Sequence, residues 1–541
     1  MTAASGIPGL DAVLFGGFPS GRPTVVLGGP GTGKTMLTMQ FLVNGAIEFD
    51  EPGLMISFEE SPGALKANFP ITGPSTAKAL QSGVQFLDGR HQEDAVEAGA
   101  FDLGGLVAIA SSIVKRHRVK RITVDGIDVL FASSRDDANR RREITRLLNW
   151  LADSSISSVL TMKGADGKST GPPYADLAEY AADGVLHLKT EMLGQLARRT
   201  LTVIKMRGTA FLEGAHPYII GRDGIRVLHS ITETDEIVQA LDLRISTGIE
   251  RLDHMLRGGH RVGTTTLITG LPGTSKTTMG AAFLQAGIAR GERCLFVGFD
   301  EPVRQVLVDA GSVGIDLNQG MQSGLLQARS FAPGGSIADA HFLAIEALID
   351  SHKPARVVID PITALEKAGG LSIAEATMER LVLLLKTHGI TAVFTAIAES
   401  PLGEQESTSM RVSTIADTWI HLSFTNRGGE RNRTLTIVKS RGTAHSNQMR
   451  EMLLTQGGIT LADVYTSAGE VLLGTARAQK ERQDLAEREA ESDAVAVALE
   501  RVDRSSGDLR EALLAAQRGL DQLAADRAEL LRHAETSGAK R

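Results

Sequence analysis

Short apolar runs alternate with helix-length amphipathic segments along most of this chain. The runs Thr24–Leu27, Leu54–Phe58, Ile122–Val124, Val159–Met162, Val185–Leu188 and Leu201–Ile204 predict strands. Each is short, apolar and flanked by polar or glycine-containing segments. A second series follows at Thr266–Thr269, Leu295–Phe299, Val357–Ile359, Ala392–Thr395, Trp419–Leu422 and Leu435–Val438. Strands that alternate with helical segments predict a mostly parallel α/β sheet, here twice. After about Ser467 glycine thins out and Ala, Glu, Arg and Leu dominate. From Val495, apolar residues recur at steps of four and three (Leu499, Val502, Leu509, Leu513, Ala516, Leu520, Leu523, Leu530), interrupted by Ser506 and Arg527. A narrow seam of that period predicts an α-helical coiled coil of about five heptads rather than a helix packed on its own domain.

The two series are copies of one module. Gly6, Ile7, Leu10 and Asp11 recur as Gly248, Ile249, Leu252 and Asp253, 242 positions on. GGPGTGKT recurs as GLPGTSKT, the strand ending in Asp125 as one ending in Asp360, and Lys205-Met-Arg207-Gly as Lys439-Ser-Arg441-Gly. A period this long indicates a duplicated domain rather than a solenoid. The expected divisions are 1–232, 242–467 and a tail over 476–535, with the joint in the polar stretch Ser230–Leu241.

The most specific chemistry lies at Gly28, Gly29, Pro30, Gly31, Thr32, Gly33, Lys34 and Thr35, which fit G-x-x-x-x-G-K-T between a predicted strand and a predicted helix. Glycines let the backbone N–H groups form a nest for phosphate oxygens, and the helix N-terminus adds positive potential. Lys34 is placed for the outer phosphates and the Thr35 hydroxyl for Mg²⁺. The second copy is Gly270, Leu271, Pro272, Gly273, Thr274, Ser275, Lys276 and Thr277. It departs at Ser275, where a Cβ replaces the glycine before the lysine and is expected to strain the nest.

Asp125 and Asp360 end strands and are candidate Mg²⁺ ligands, directly or through water. Glu59–Glu60 and its counterpart Asp300–Glu301 end other strands. One carboxylate of such a pair can serve as base and the other can orient the nucleophile or hold metal; an exposed surface pair is the alternative. Asp300 is a methylene shorter than glutamate, and a base must come within hydrogen-bond distance of its proton. Lys205, Arg207, Lys439 and Arg441 follow strands and precede Gly-Thr turns, so they are equally candidates for reaching a phosphate, in ring ATPases often that of the next subunit, and for a solvated basic pair.

Composition adds exclusions. With 541 residues, 42% of them apolar and 22% charged, the chain has room for two or three ordinary globular domains. The net charge of −7 and an aromatic content of 4% argue against nucleic acid as a partner, and with it a recombinase or helicase. Cys294 is the only cysteine, sits in an apolar run and reads as a buried core residue. No apolar run approaches the roughly 18 residues of a membrane span, and the start lacks a basic, apolar leader pattern, so no membrane association and a cytoplasmic location are expected.

The two phosphate loops, FEE, VDG, KMRGT, KSRGT and the long duplication together resemble the KaiC family, two-module RecA-like ATPases and autokinases of bacterial circadian clocks. The resemblance spans nearly all of Ser5 to Val464, and the tail resembles relatives that carry a C-terminal coiled coil. It implies two tandem RecA-like P-loop NTPase domains using ATP and Mg²⁺. The first would be an ATPase and the second a kinase. The segment Met410–Leu422, MRVSTIADTWIHL, matches the one that carries the family's phosphorylated pair, here Ser413 and Thr414. The resemblance also implies a hexamer with ATP at subunit interfaces and a small KaiB-like clock protein docking on the first-module ring. The tail would then join two rings into a dodecamer. A nucleotide-gated signalling scaffold with little phosphotransfer is the alternative reading.

Overall fold

The fold is that of a computed structural model, which describes residues 2–70, 72–90, 103–129, 137–164, 181–229, 243–332, 334–398, 415–427, 430–442, 444–467 and 470–538. The first module runs β1 (Thr24–Gly28), α1 (Lys34–Glu48), β2 (Gly53–Ser57), α2 (Pro62–Asn68), β3 (Val84–Asp88), α3 (Leu103–His117), β4 (Arg121–Asp125), α4 (Asp137–Asp153) and β5 (Ser157–Lys163). Two hairpins complete it, β6 (Gly184–Leu193) with β7 (Leu196–Met206) and β8 (Ala215–Gly221) with β9 (Gly224–Val227). The second module repeats the plan: β10 (Thr265–Gly270), α5 (Lys276–Ala289), β11 (Cys294–Gly298), α6 (Val303–Ser312), β12 (Leu326–Ser330), α7 (Ala338–His352), β13 (Arg356–Asp360), α8 (Leu371–Thr387) and β14 (Thr391–Ile397). Strands β15 (Thr418–Arg427), β16 (Glu430–Ser440), β17 (Arg450–Thr455) and β18 (Gly458–Asp463) follow, then helix α9 (Gly474–Gly538).

Each module forms a sheet of nine strands in the same order. The first reads β9-β8-β7-β6-β1-β5-β4-β2-β3 and the second β18-β17-β16-β15-β10-β14-β13-β11-β12. Strand β1 pairs in parallel with both β5 and β6, and β10 with both β14 and β15. Phosphate loops thus emerge from central strands, at the carboxyl ends where open α/β sheets bind ligands. Strands β6 and β7 run well past the predicted apolar runs, because Lys189, Thr190 and Glu191 continue the antiparallel ladder on a stretch exposed to solvent.

The period-two alternation of the strands sorts side chains onto two faces. Val26 and Met55 join Leu37 and Phe41 of α1 in one core, whereas Val25, Leu27, Leu54 and Ile56 join Leu147 and Leu151 of α4 in the other. Helix α2 begins where Ser61 Oγ accepts a bond from the Ala64 amide and Pro62 fills the first turn. Cys294 is fully buried in β11, as expected for a small core residue.

The chain divides into two compact units. The larger comprises Met1–Ser423, Thr436–Gln448 and Leu454–Thr460, and so holds both phosphate loops. Within it the fully buried Asp339 of α7 accepts bonds from Arg198 of the first module and Arg380 of α8. The smaller unit comprises Phe424–Leu435, Met449–Leu453 and Leu461–Arg541. In it the start of α9 is anchored by Arg477 on the buried Glu451, 2.7 Å, and by the Thr475 hydroxyl on Glu430. Helix α9 is 65 residues long, hence about 98 Å, and its seam leucines stand open, Leu499 at 59%, Leu509 at 69% and Leu523 at 66% exposure.

Candidate nucleotide sites

The first loop is shaped by the residues its sequence supplies. Gly31 and Gly33 take left-handed conformations, φ 72° and 90°, and Gly33 caps α1. Lys34 Nζ donates to the carbonyls of Gly28, 2.9 Å, and Gly29, 3.0 Å, while the Thr32 hydroxyl donates to Gly29 O at 2.9 Å. From β8 the buried Tyr218 hydroxyl donates to Thr32 O. Burial pushes the Lys34 ammonium below its ordinary value, and the nearby Glu59, Asp125 and Asp128 carboxylates pull the other way.

Beside the loop, the Thr35 hydroxyl donates to Asp125 at 3.0 Å and the Thr161 hydroxyl of β5 donates to Asp125 at 2.6 Å. Asp125 is 1% exposed, and burial raises its carboxyl above the usual aspartate range despite those two donors. A buried carboxylate with one hydroxyl at a phosphate nest fits Mg²⁺, which takes one or two protein oxygens and completes its shell with phosphate and water. Among the described residues no group of three or more His, Cys, Asp and Glu could hold a metal without that help.

The two residues of the acidic pair have different partners. Glu59 Oε1 lies 3.3 Å from Lys163 Nζ, and Lys163 Nζ lies 3.3 Å from the buried Asp128. Glu59 also acts electrostatically on Lys34 and Asp125. Glu60 instead accepts a bond from Asn68 of α2, 3.1 Å, on the outer side.

The second site repeats the frame. Lys276 Nζ donates to Gly270 O, 2.9 Å, and Leu271 O, 3.0 Å, and the Thr274 hydroxyl to Leu271 O, 2.8 Å. The Thr277 hydroxyl donates to Asp360 at 2.6 Å, and Thr395 of β14 also donates to Asp360. Burial again lowers Lys276 and raises Asp360. Ser275 sits in the left-handed region, φ 74°, where Gly33 sits in the first loop. Two clefts of about 170 and 240 Å³ border this loop; Gly273, Lys276, Thr277 and Glu301 line both, and Pro272, Asp300 and Asp360 line the first. Burial raises the Glu301 carboxyl, and Asp360, Asp309 and Asp300 add to the effect.

The four basic candidates stand elsewhere. Strand β6 runs parallel to β1 and pairs Gly184 with both Thr24 and, antiparallel, Met206. Lys205 and Arg207 therefore flank the start of β1, about 13 Å along the strand from the loop at its end, and Arg207 lies 3.7 Å from Asp183. Arg441 donates its amide to Asp417 O, at the start of β15, which puts Lys439 and Arg441 at the same end of the second sheet. Neither pair joins the phosphate loop of its own module. Ser413 and Thr414 lie outside the described residues.

Five contributors escaped the sequence reading. Tyr218, Lys163 and Thr161 reach the first site, and Thr395 the second, through strand pairings distant in sequence; only Asp128, three residues after Asp125, offered a local signal.

Among known proteins, the family model described as "ATPase: KaiC" matches this chain twice, over residues 3–231 and 245–464. The chain is 36% identical to the circadian clock protein KaiC2 of Synechocystis sp. over 485 residues, 87% of this chain and 83% of that protein. It is 31% identical to the circadian clock oscillator protein KaiC of Parathermosynechococcus lividus, covering 87% of each. The same identity holds for the KaiC of Synechococcus elongatus, covering 87% of this chain and 90% of that protein.

Proposed function

This chain belongs to the KaiC family of ATPases, and from that premise we propose that its first module hydrolyses ATP slowly while its second transfers phosphate to Ser413 and Thr414. The observation that carries this reading is the division within each module. Loop, lysine, hydroxyl and carboxylate gather at one end of the sheet, and the Lys-x-Arg run stands at the other. A basic pair that cannot serve its own loop suits a ring in which it serves a neighbour's, so that ATP sits between subunits of a hexamer.

In the first site Lys34 and the nest hold the phosphates, and Thr35 with Asp125 would hold Mg²⁺, which supplies charge neutralisation on the transferred group when bound. Glu59 faces this cluster and takes the proton of the attacking water. A bond forms from the water oxygen to the terminal phosphorus as the bond to the ADP oxygen breaks. In the second site Asp300 would take the proton of a Ser413 or Thr414 hydroxyl, with Lys276, Thr277 and Asp360 in the roles of their counterparts. Slow transfer is expected there from the shorter Asp300 and the left-handed Ser275.

The seam of α9 supports joining two rings tail to tail into a dodecamer. The relatives' names support a role in timing, and the family resemblance adds a small KaiB-like protein as the expected partner of the first-module ring. Native mass measurement with and without ATP, paired with labelled ATP and mass spectrometry of Ser413 and Thr414, tests the whole. A hexamer or dodecamer that labels both residues is expected. A nucleotide-independent monomer would overturn the composite sites, and an unlabelled ring would favour the signalling scaffold. Truncation before Arg482 should halve the particle and leave each ring intact.

A further inference from the structure

We propose that Lys163, held by Asp128, is a positioning residue that fixes the Glu59 carboxylate for attack on ATP in the first module. The inference rests on the reading of Glu59 as the base. Lys163 is the last residue of β5 and lies across from Gly28, the last residue of β1, so it borders the phosphate loop by strand register. Its amide donates to Asp128 Oδ1, 3.2 Å, and its ammonium lies 3.3 Å from Asp128 Oδ2, so backbone and side chain are both tied to one carboxylate that is only 3% exposed. The same ammonium reaches Glu59 at 3.3 Å.

Glu59 is confined from a second side. Gly126 has φ 73°, and a Cβ there would fall 2.5 Å from Glu59 Cγ. The glutamate therefore lies across bare backbone next to Asp125, with Lys163 at its tip. As a contribution to stability the pair is weak, since Lys163 is 51% and Glu59 36% exposed. Its value is geometric: a base must meet its proton at hydrogen-bond distance. The Lys163 ammonium is raised above its ordinary value, by Asp128 first and then by Glu59. It therefore stays charged through the neutral range.

The second module carries neither part at the matching positions. The register position of Lys163 is Ile397, across from Gly270, and the residue three after Asp360 is Thr363. The clamp thus belongs to the site assigned to hydrolysis and is missing from the one assigned to transfer onto protein.

The test is a cycle of Lys163→Met, Glu59→Gln and the double variant in the full chain. Hydrolysis is read as kcat and KM, and binding of a non-hydrolysable ATP analogue is read by calorimetry. Lys163→Met should lower kcat by about a hundredfold, the scale of an ångström's misplacement, and change analogue affinity by less than about threefold. Lys163→Arg should recover most of the loss. In the Glu59→Gln background Lys163→Met should cost nothing more, because its effect runs through that carboxylate. Equal losses of kcat and affinity would make Lys163 a phosphate ligand instead, and additive losses would show that it does not act through Glu59. If Glu59→Gln alone kept full turnover, the base assignment itself would fall and the inference with it. If Glu59→Gln were inactive but Lys163→Met unimpaired, only the positioning role would fall.

Discussion

At the starts of their strands the two modules agree almost residue for residue. Arg121 and Arg356 are both fully buried, each paired with one glutamate, Glu51 or Glu292, and each donating to a helix carbonyl, Phe41 O or Phe283 O. Each guanidinium also lies over a phenylalanine ring, at 4.6 Å from Phe41 and 4.7 Å from Phe283. At the strand ends that carry the phosphate loops they part. The first loop is tied by Tyr218; Arg199 pairs with Tyr218 and Arg433 with Met452, and each arginine stands six residues before the lysine of its Lys-x-Arg run. Methionine has no hydroxyl to donate. In the first module Lys163 lies 3.3 Å from Glu59, whereas the matching register position of the second module, across from Gly270, holds Ile397. One scaffold therefore holds two electrostatic settings, and the differences sit where chemistry is decided.

The largest expected effect comes from removing the loop lysines. Lys34→Ala should lower ATP hydrolysis by about a thousandfold, the scale of losing a cation from a phosphoryl-transfer site, while labelling of Ser413 and Thr414 persists. Lys276→Ala should do the reverse. Steady-state hydrolysis and mass spectrometry read the two. If each variant lost both activities equally, the modules would not be functionally separate.

Next is the buried aspartate. The Asp125 carboxyl is raised above the ordinary aspartate value of 3.8, first by burial. Because its folded pKa exceeds its unfolded one, the stability it contributes is fully present below that ordinary value. It is lost as pH rises through the folded pKa, so at neutral pH the ionised group opposes folding. Asp125→Asn should therefore raise the melting temperature without nucleotide by about 2–4 °C, flatten its dependence on acid, and remove the extra stabilisation that Mg²⁺–ATP gives the wild type. Calorimetric melts across pH check this. A melting temperature that fell in the variant would mean that the Thr35 and Thr161 bonds outweigh burial.

The loops and the central strands were legible because each is local, and the duplication because it repeats them: eight residues spell the nest, and apolar runs of three to five spell those strands. The placement of Lys205 and Arg207 was not, since it depends on β7 reversing against β6. Lys163 reads in sequence only as the end of an apolar run. Its meaning arises from pairing with Gly28, far away in the chain, and no periodicity reports such a register.

A smaller effect is expected at Asp300. Asp300→Glu restores the missing methylene in a site whose neighbour Glu301 is already raised by burial and by nearby acids. Labelling of Ser413 and Thr414 should speed up by about tenfold, below the full worth of a well-placed base, with first-module hydrolysis unchanged. An unaltered labelling rate would show that reach to the hydroxyl does not limit transfer.

The smallest effect concerns the residue before each loop lysine. Gly33 and Ser275 occupy the same left-handed region, yet a Cβ on Gly33 would come 2.6 Å from Ile220 Cδ1. Gly33→Ser then meets two penalties, the left-handed conformation of a side-chain-bearing residue, about 1 kcal/mol, and a displaced Ile220 in the core that carries Tyr218. Ser275→Gly relieves the first penalty, but glycine gains freedom in the unfolded chain that offsets roughly 0.5–1 kcal/mol of it. The two substitutions are chemical inverses with unequal outcomes: a clear loss of stability and nucleotide affinity for Gly33→Ser, and a melting temperature within about 1 °C of wild type for Ser275→Gly. Nucleotide affinity separates strain from stability, because relief of the nest acts on the bound phosphate and unfolded-state entropy does not. Tighter binding in Ser275→Gly at unchanged melting temperature would place the second site's weakness in the loop itself. Unchanged binding would place it in Asp300 and in the lysine that Ile397 replaces.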